Sequence, residues 1–280
     1  MRPDYRTRFA PSPTGLLHLG HAFSAFTAWD RAQAAGGQFL LRIEDIDVPR
    51  CRPEYEAAID EDLRWLGLNW PPPLRQSERL PVYRAAVMRL AARGLVYPCR
   101  CTRSDIRAAL SAPQEGVVGP DGPVYPGLCR GRSMAEAGPT DALRLDMAKA
   151  VRLLGNAGFQ ENGPDHAGWH RLDPERLIAE VGDVVLARRD IGTSYHIAVV
   201  IDDAKQGITE VVRGADLFSA TPIHRVLQAA LELPIPRYCH HRLIRDDNGK
   251  RLAKRDDSRA VRVYRNDGAT PADIRRMVGL

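Results

Sequence analysis

Four groups of residues in this chain carry side chains suited to chemistry, each at a defined spacing. The first is the run Arg8-Phe9-Ala10-Pro11-Ser12-Pro13-Thr14-Gly15-Leu16-Leu17-His18-Leu19-Gly20-His21. A Pro/Gly-rich turn between a strand and a helix presents backbone N–H groups and a helix N-terminus, a combination that favours phosphate. His18 and His21 lie about one helical turn apart and can face the same ligand. Gly20 has no side chain to hold a base or ribose off the backbone. Taken alone, H-x-G-H also fits an ordinary helix start. The second group is Gly249-Lys250-Arg251-Leu252-Ala253-Lys254-Arg255. Its cations, in a Gly-led loop, can reach a triphosphate and stabilise charge on the α-phosphorus and a leaving pyrophosphate. A solvated basic loop is the plain alternative.

The third group is Cys99, Cys101 and Cys129, with Tyr125 four residues before the last cysteine. Cys-x-Cys followed by a later cysteine suits a zinc site, and three thiolates leave one tetrahedral position for which Tyr125 is a possible ligand. Free thiols remain the other reading. Cys51 and Cys239 are distant in sequence and read as unrelated thiols. The fourth group is scattered: Arg8, Glu44, Tyr195 and Arg213, at or near expected strand ends, where open α/β sheets bind ligands. An arginine can grip a carboxylate through two hydrogen bonds and a glutamate can take an ammonium. Each of them singly also fits a surface ion pair.

These groups need elements to hold them. Residues 5–10 read as a strand running into the turn APSPTG, followed by a helix with Leu19, Ala22, Phe23 and Phe26 at helical spacing and Gly36-Gly37 as its stop. QFLLRI (38–43) reads as a buried strand that ends in Glu44-Asp45-Ile46-Asp47. A helix starting near Pro53 carries Tyr55, Ile59, Leu63 and Leu66 on one face, and another runs from about Pro81 to Gly94. This β-turn-α-β-α order implies a parallel sheet with crossover helices. Strand character returns at DVVLARR (183–189), YHIAVVIDD (195–203) and GITEVVRG (207–214). Thr221-Pro222 opens a helix as N-cap and first helical residue. The expected organisation is a first catalytic half at 1–96, an inserted subdomain at 97–182, a second catalytic half at 183–248, and a basic loop with a short C-terminal segment at 249–280.

Composition narrows the class. Hydrophobic residues make up 44% and charged residues 27%, as in an ordinary soluble protein. No apolar run approaches the ~20 residues of a membrane span, and the N-terminus lacks the apolar stretch of a secretory signal. A cytoplasmic location, no membrane partner and a monomer are expected. The net charge of +5 and sequence pI of about 9.1 suit a polyanionic partner such as RNA or a nucleotide. Five cysteines, an odd number, argue against a disulfide framework.

Together the motifs resemble the glutamyl branch of class I aminoacyl-tRNA synthetases. RFAPSPTG-x-LH-x-GH resembles that branch's HIGH region, and its combination with RIEDID some twenty residues on is far more specific than either piece. GITEVVRGADL resembles the branch's second-half strand, and GKRLAKR followed by VYRNDGATP resembles its KMSKS loop. The likeness runs in order along nearly the whole chain. It implies an α/β, Rossmann-like catalytic core that activates L-glutamate with ATP and Mg²⁺. It puts the glutamate site on Arg8, Phe9, Ala10, Pro11, Ser12, Glu44, Tyr195 and Arg213. His18, His21 and Lys254 become the catalytic groups, which with Gly20 also bind ATP. Arg251 stands where the family has its first loop lysine, and Ala253 where it has serine. The length, with Cys-x-Cys…Tyr-x-x-x-Cys in the insert, resembles the shortened glutamyl-Q tRNA(Asp) synthetases, expected to lack an anticodon-binding domain. These transfer glutamate to the queuosine base of tRNA(Asp) and hold one structural zinc, here on Cys99, Cys101, Tyr125 and Cys129. Three alternatives remain: a shortened synthetase charging a tRNA 3′ end, a catalytically silent tRNA-binding paralogue, and a small-molecule ligase of the same superfamily.

Overall fold

Helix and strand limits follow local chemistry in a computed structural model that describes residues 4–110, 118–120, 122–245 and 259–280. The order begins β1 (Arg6–Phe9), α1 (Leu19–Ala34), β2 (Gln38–Ile43), α2 (Pro53–Trp65), β3 (Leu74–Arg75), α3 (Leu80–Ala92), β4 (Val96–Cys99), α4 (Arg103–Leu110), β5 (Val118–Gly119) and β6 (Gly122–Pro123). It continues with β7 (Ala142–Leu145), α5 (Met147–Ala150), β8 (Gly158–Glu161), β9 (Gly168–Arg171), α6 (Pro174–Arg176), β10 (Val185–Ala187), α7 (Tyr195–Lys205), β11 (Glu210–Gly214), α8 (Thr221–Leu231), β12 (Arg237–His241), α9 (Val261–Asn266) and α10 (Pro271–Met277). α1 ends where Gly36 takes φ +62°, a left-handed conformation that costs glycine nothing. α2 has a proline in its first turn beside Glu54 and Glu56, both favourable at a helix N-terminus.

Two parallel sheets meet edge to edge. One has the order β1-β2-β3; the other is β11-β12-β8-β9, parallel except for β9. They abut at β1 and β11, where Thr209 N–H donates to Arg6 O at 2.9 Å. Alternate residues of each strand go to opposite faces. Leu40, Val211 and Tyr238 join the core cluster that contains Tyr83, Leu90 and Ile197. Their neighbours Leu41, Val212 and Cys239 join the cluster that contains Phe23, Phe26, Ile59 and Ile274. Both faces are therefore covered, as parallel sheets require. A third, antiparallel sheet β10-β7-β4 carries the cysteine segment. The β8–β9 hairpin falls within 97–182 in sequence but pairs with β12, through Glu161 opposite Tyr238.

Two expectations need correction. YHIAVVIDD is a helix, not a strand. Its β-branched run favours a strand by propensity, but α7 is buried on nearly all sides, from His196 to Val200 and at Asp202 and Asp203. A helix buried all round shows no 3.6-residue pattern, so packing overrides propensity. Tyr195 accordingly sits in the first turn of a helix rather than at a strand end. Thr221 is not an N-cap. The 3₁₀ segment 215–220 runs directly into α8, whose N-cap is Ala220 in helical geometry, so no extended capping residue is required.

Asp202 of α7, fully buried, accepts from Gln76 Nε2 at 3.0 Å, Arg79 Nε at 2.7 Å and Tyr83 Oη at 2.6 Å, so it fastens α3 to α7. Asp202→Ala leaves those donors without an acceptor. It is expected to lower the unfolding free energy by about 3–5 kcal/mol, the scale of a buried pair broken from one side, read from urea denaturation. A change below about 1 kcal/mol, ordinary for a surface substitution, would contradict this role.

Candidate active site

The turn after β1, the N-terminus of α1 and the C-terminal ends of β2, β11 and β12 border a cavity of about 550 Å³. Arg8 through Ser12, His18, Gly20, His21, Glu44, Tyr195 and Arg213 all line it, so one space gathers the two histidines and the whole candidate glutamate set. Lys254 lies outside the described residues. The chain on either side of the basic loop borders the same place. Leu243 and Ile244 line the cavity, and Ala260 forms an antiparallel bridge with His18, with Val261 N–H donating to Leu17 O at 2.8 Å.

His18 and His21 cap α1 reciprocally. His18 Nδ1 accepts from Gly20 N–H at 3.1 Å, and His21 Nδ1 accepts from His18 N–H at 3.2 Å. The rings pack with centroids 3.8 Å apart. Because each Nδ1 is an acceptor, each neutral ring carries its proton on Nε2, leaving that N–H as its donor. The missing side chain of Gly20 serves the ring as well as any ligand: a Cβ there would lie 2.9 Å from His18 Cε1.

The acidic half is built around Asp203 on α7. Arg8 Nε donates to its Oδ1 at 2.8 Å and Arg42 Nη1 to the same oxygen at 2.6 Å. Arg42 also donates to Glu44 Oε1 through Nη2, at 3.0 Å. Burial by itself would raise the Asp203 pKa, but the two arginines outweigh it and hold the carboxyl at about 2. Glu44 goes the other way: burial lifts it above the usual carboxylate value, against Arg42 and Arg8. Glu44 is thus a largely enclosed carboxyl, its side chain 11% exposed, that a further cation would stabilise in its charged form.

Arg213 lies opposite. It is 5% exposed, and its contacts are His240, His224, Thr221 Oγ1 and the Leu217 carbonyl. Among the described residues, no carboxylate reaches salt-bridge distance of it. Arg42, Asp203, Glu161, His224 and His240 are absent from the sequence-derived set. The available signal was an ionisable residue inside an apolar run, Arg42 in QFLLRI and Asp203 in IAVVIDD, since lone buried charges demand partners.

The cysteine group converges separately. Cys99, Cys101 and Cys129 offer sulfurs within 4.8 Å of one another and could hold a metal ion. Tyr125 Oη is 3.4 Å from Cys99 Sγ and 3.3 Å from Cys101 Sγ. Despite burial, donation from the Tyr125 hydroxyl and a backbone N–H draws the Cys129 thiol down to about 7. Arg144 stands over the Tyr125 ring at 3.9 Å. Cys51 and Cys239 are not part of this cluster.

The family model and the sequence relatives identify this α/β architecture as a ligase with the catalytic domain of a class I aminoacyl-tRNA synthetase. The family model for tRNA synthetases class I (E and Q), catalytic domain, matches residues 4–156 and 165–280. Glutamyl-Q tRNA(Asp) synthetase of Rhodobacter capsulatus is 62% identical over 279 residues, covering 98% of this chain and 99% of that protein. The protein of the same name from Nitratidesulfovibrio vulgaris is 42% identical over 284 residues, covering 96% and 83%. The solved glutamate-tRNA synthetase of Elizabethkingia anophelis superposes with a TM-score of 0.79 at 26% identity. That likeness covers 99% of this chain and 61% of the solved one. The chain belongs to the class I tRNA synthetases (E and Q), in the family of the glutamyl-Q tRNA(Asp) synthetases. No helix among the described residues is long and apolar enough to cross a membrane.

The Asp203 pKa has a consequence for acid stability. A carboxyl held at about 2 against an ordinary 3.8 corresponds to roughly 2 kcal/mol. Because the folded value is the lower one, this contribution is complete above about pH 4 and is lost as pH falls through about 2. Asp203→Asn is therefore expected to destabilise the protein by about that amount at neutral pH. Its penalty should shrink towards zero near pH 2, as followed by urea titrations across pH. A penalty independent of pH would contradict the pairing.

Proposed function

We propose that the protein activates L-glutamate with ATP and transfers the glutamyl group to the queuosine base of tRNA(Asp). The observation that carries the activation step is the charge pattern of the cavity. Arg8 and Arg42 are matched by Asp203 and Glu44, while the buried Arg213 has no such match among the described residues. Glutamate brings one net negative charge. Its side-chain carboxylate suits Arg213 and its ammonium suits Glu44, with Tyr195, Arg8 and the 9–12 backbone closing the pocket. The α-carboxylate then faces the His18–His21 end of α1, where ATP binds.

In this mechanism a carboxylate oxygen attacks the α-phosphorus in line; a new P–O bond forms and pyrophosphate leaves. His18, His21 and Lys254 stabilise the charge on the transferring phosphoryl group, and none acts as a nucleophile. Mg²⁺ enters with ATP. A hydroxyl of the queuosine cyclopentenediol then attacks the anhydride carbonyl, forming the ester and releasing AMP. The names of the relatives support this acceptor, and the net charge of +5 suits RNA phosphates, which position without specifying.

With glutamate and ATP alone, and no tRNA, labelled pyrophosphate should exchange into ATP. Labelled glutamate should pass to a queuosine-containing anticodon stem-loop but not to the same stem-loop with guanosine, nor to tRNA(Glu). Label on the 3′ end of tRNA(Glu) and none on the queuosine stem-loop would replace this reading by that of a shortened charging synthetase. Absence of exchange with intact folding would support a silent RNA-binding protein.

Zinc is the metal we assign to the cysteine group, in a structural role. Tetrahedral thiolates around Zn²⁺ stand roughly 3.8 Å apart, and Cys101 and Cys129 Sγ are already 3.5 Å apart. The Tyr125 oxygen takes the fourth position, leaving none open for water. Metal analysis of protein purified without chelators should give about one zinc, as a single four-ligand site requires. Tyr125→Phe should keep it in faster exchange and Cys101→Ser should lose it. Metal-free protein would overturn this assignment.

A further inference from the structure

The contacts of Arg213 fix more than its position. Nε–H donates to His240 Nε2 at 3.0 Å, and Nη1 stands 3.1 Å from His224 Nδ1. A guanidinium has donors only, so both imidazole nitrogens must accept. The proton of His240 is then on Nδ1, which lies 2.6 Å from Glu161 Oε2. Glu161 is itself held by the backbone N–H groups of His240 at 2.8 Å and Gly163 at 2.7 Å. The proton of His224 is on Nε2, 3.1 Å from His196 Nδ1. Glu161, His224 and His240 are almost wholly enclosed. A single pattern of donors and acceptors satisfies this chain, and it admits one guanidinium orientation.

We propose that Glu161, His240 and His224 are positioning residues that orient Arg213 through neutral acceptors, leaving its charge available to the substrate side-chain carboxylate. This rests on the reading of Arg213 given above and deepens it. Arg8 and Arg42 are neutralised by the carboxylates that hold them; an aspartate at position 240 or 224 would do the same to Arg213 and remove the demand for an anionic side chain. An apolar residue there would leave the guanidinium without its acceptors and free to turn. Imidazole meets both needs, since it accepts without carrying charge. Burial and the neighbouring Arg213 both push the His224 pKa well down. For His240, burial and Arg213 also lower it, against Glu161. Glu161 falls at residue 161, between the two stretches of the chain that the family model matches.

The test is glutamate-dependent pyrophosphate exchange, measuring KM for glutamate and for ATP, kcat, and selectivity for glutamate over glutamine, with thermal unfolding alongside. Gln at position 240 can place an acceptor near Nε2, and Asn at position 224 can place one near Nδ1. His240→Leu and His224→Leu are expected to raise the glutamate KM about tenfold or more, the scale of one hydrogen bond to a charged group. KM for ATP should stay within about twofold, well below that scale, and selectivity over glutamine should narrow. His240→Gln and His224→Asn should recover most of the loss. Should the leucine variants fail to fold, Glu161→Gln serves in their place, since it keeps the volume but sets an amide donor among donors, and the same split is expected. Arg213→Lys separates the two levels. If it leaves glutamate KM and selectivity unchanged, the reading of Arg213 fails. If it changes both while the folded histidine or Glu161 variants do not, the positioning network is overturned. Equal rises in both KM values, or no rescue by Gln and Asn, overturn it as well.

Discussion

Asp203 receives arginines from two different strands. Arg8 comes from β1 and Arg42 from β2, and both donate to the same carboxylate oxygen on α7. Three charges in so little space are tolerable only together: either arginine without the aspartate, or the aspartate without them, would be a buried charge lacking compensation. The adjacent Asp202 faces the other way, to Gln76, Arg79 and Tyr83. Two successive residues of one helix thus tie the first half of the sheet, and the helix that follows it, to elements more than a hundred residues later. The cavity floor is thereby cross-linked by buried ion pairs from β1, β2 and α7.

That arrangement divides the arginines of the site into two kinds. Arg8 and Arg42 are structural cations whose charge is consumed inside the protein, with Glu44 sharing the load. Arg213 is held equally firmly, but by imidazoles, a hydroxyl and a carbonyl. In the proposed reading orientation and neutralisation are separate: the first is supplied by the protein, the second by the ligand. Under the proposed function, a buried cation that no described carboxylate neutralises favours an anionic side chain over a neutral isostere.

The cysteine cluster is joined to this core through polar contacts of Asp183 and Arg189. Tyr97 and Arg130 both donate to Asp183, and Asp183 also accepts from Met147 N–H at 2.9 Å. Arg189, which follows β10 and precedes α7, donates to the Cys101 carbonyl at 2.6 Å. The segment that closes the cysteine loop therefore leads within a few residues to Tyr195 in the cavity wall. Cys99, Cys101, Tyr125 and Cys129 form a small, largely buried cluster of their own, the setting in which the proposed metal would contribute most.

Much of this was legible from residue order. The turn from β1 into α1, the helix stop at Gly36, the strand QFLLRI and the helices near Pro53 and Pro81 are local matters of proline, glycine and hydrophobic period, and the structure has them where the sequence put them. The cavity residues from Arg8 to Ser12, with His18, Gly20, His21, Glu44, Tyr195 and Arg213, were legible through the resemblance to the glutamyl branch, since taken singly they also fit an ordinary helix start or surface ion pairs. What only the tertiary structure decided are features that depend on burial and long-range partners. YHIAVVIDD reads as a strand by its β-branched residues, and becomes a helix because packing on nearly every side removes the periodicity that marks one. Arg42, Asp203, Glu161, His224 and His240 are ordinary residues in sequence and acquire roles only where strands and helices far apart in the chain bring a donor to an acceptor. Sequence determines which side chains are present and which turns they favour. Whether a buried arginine is neutralised or left charged depends on which groups the fold sets within hydrogen-bond distance of it.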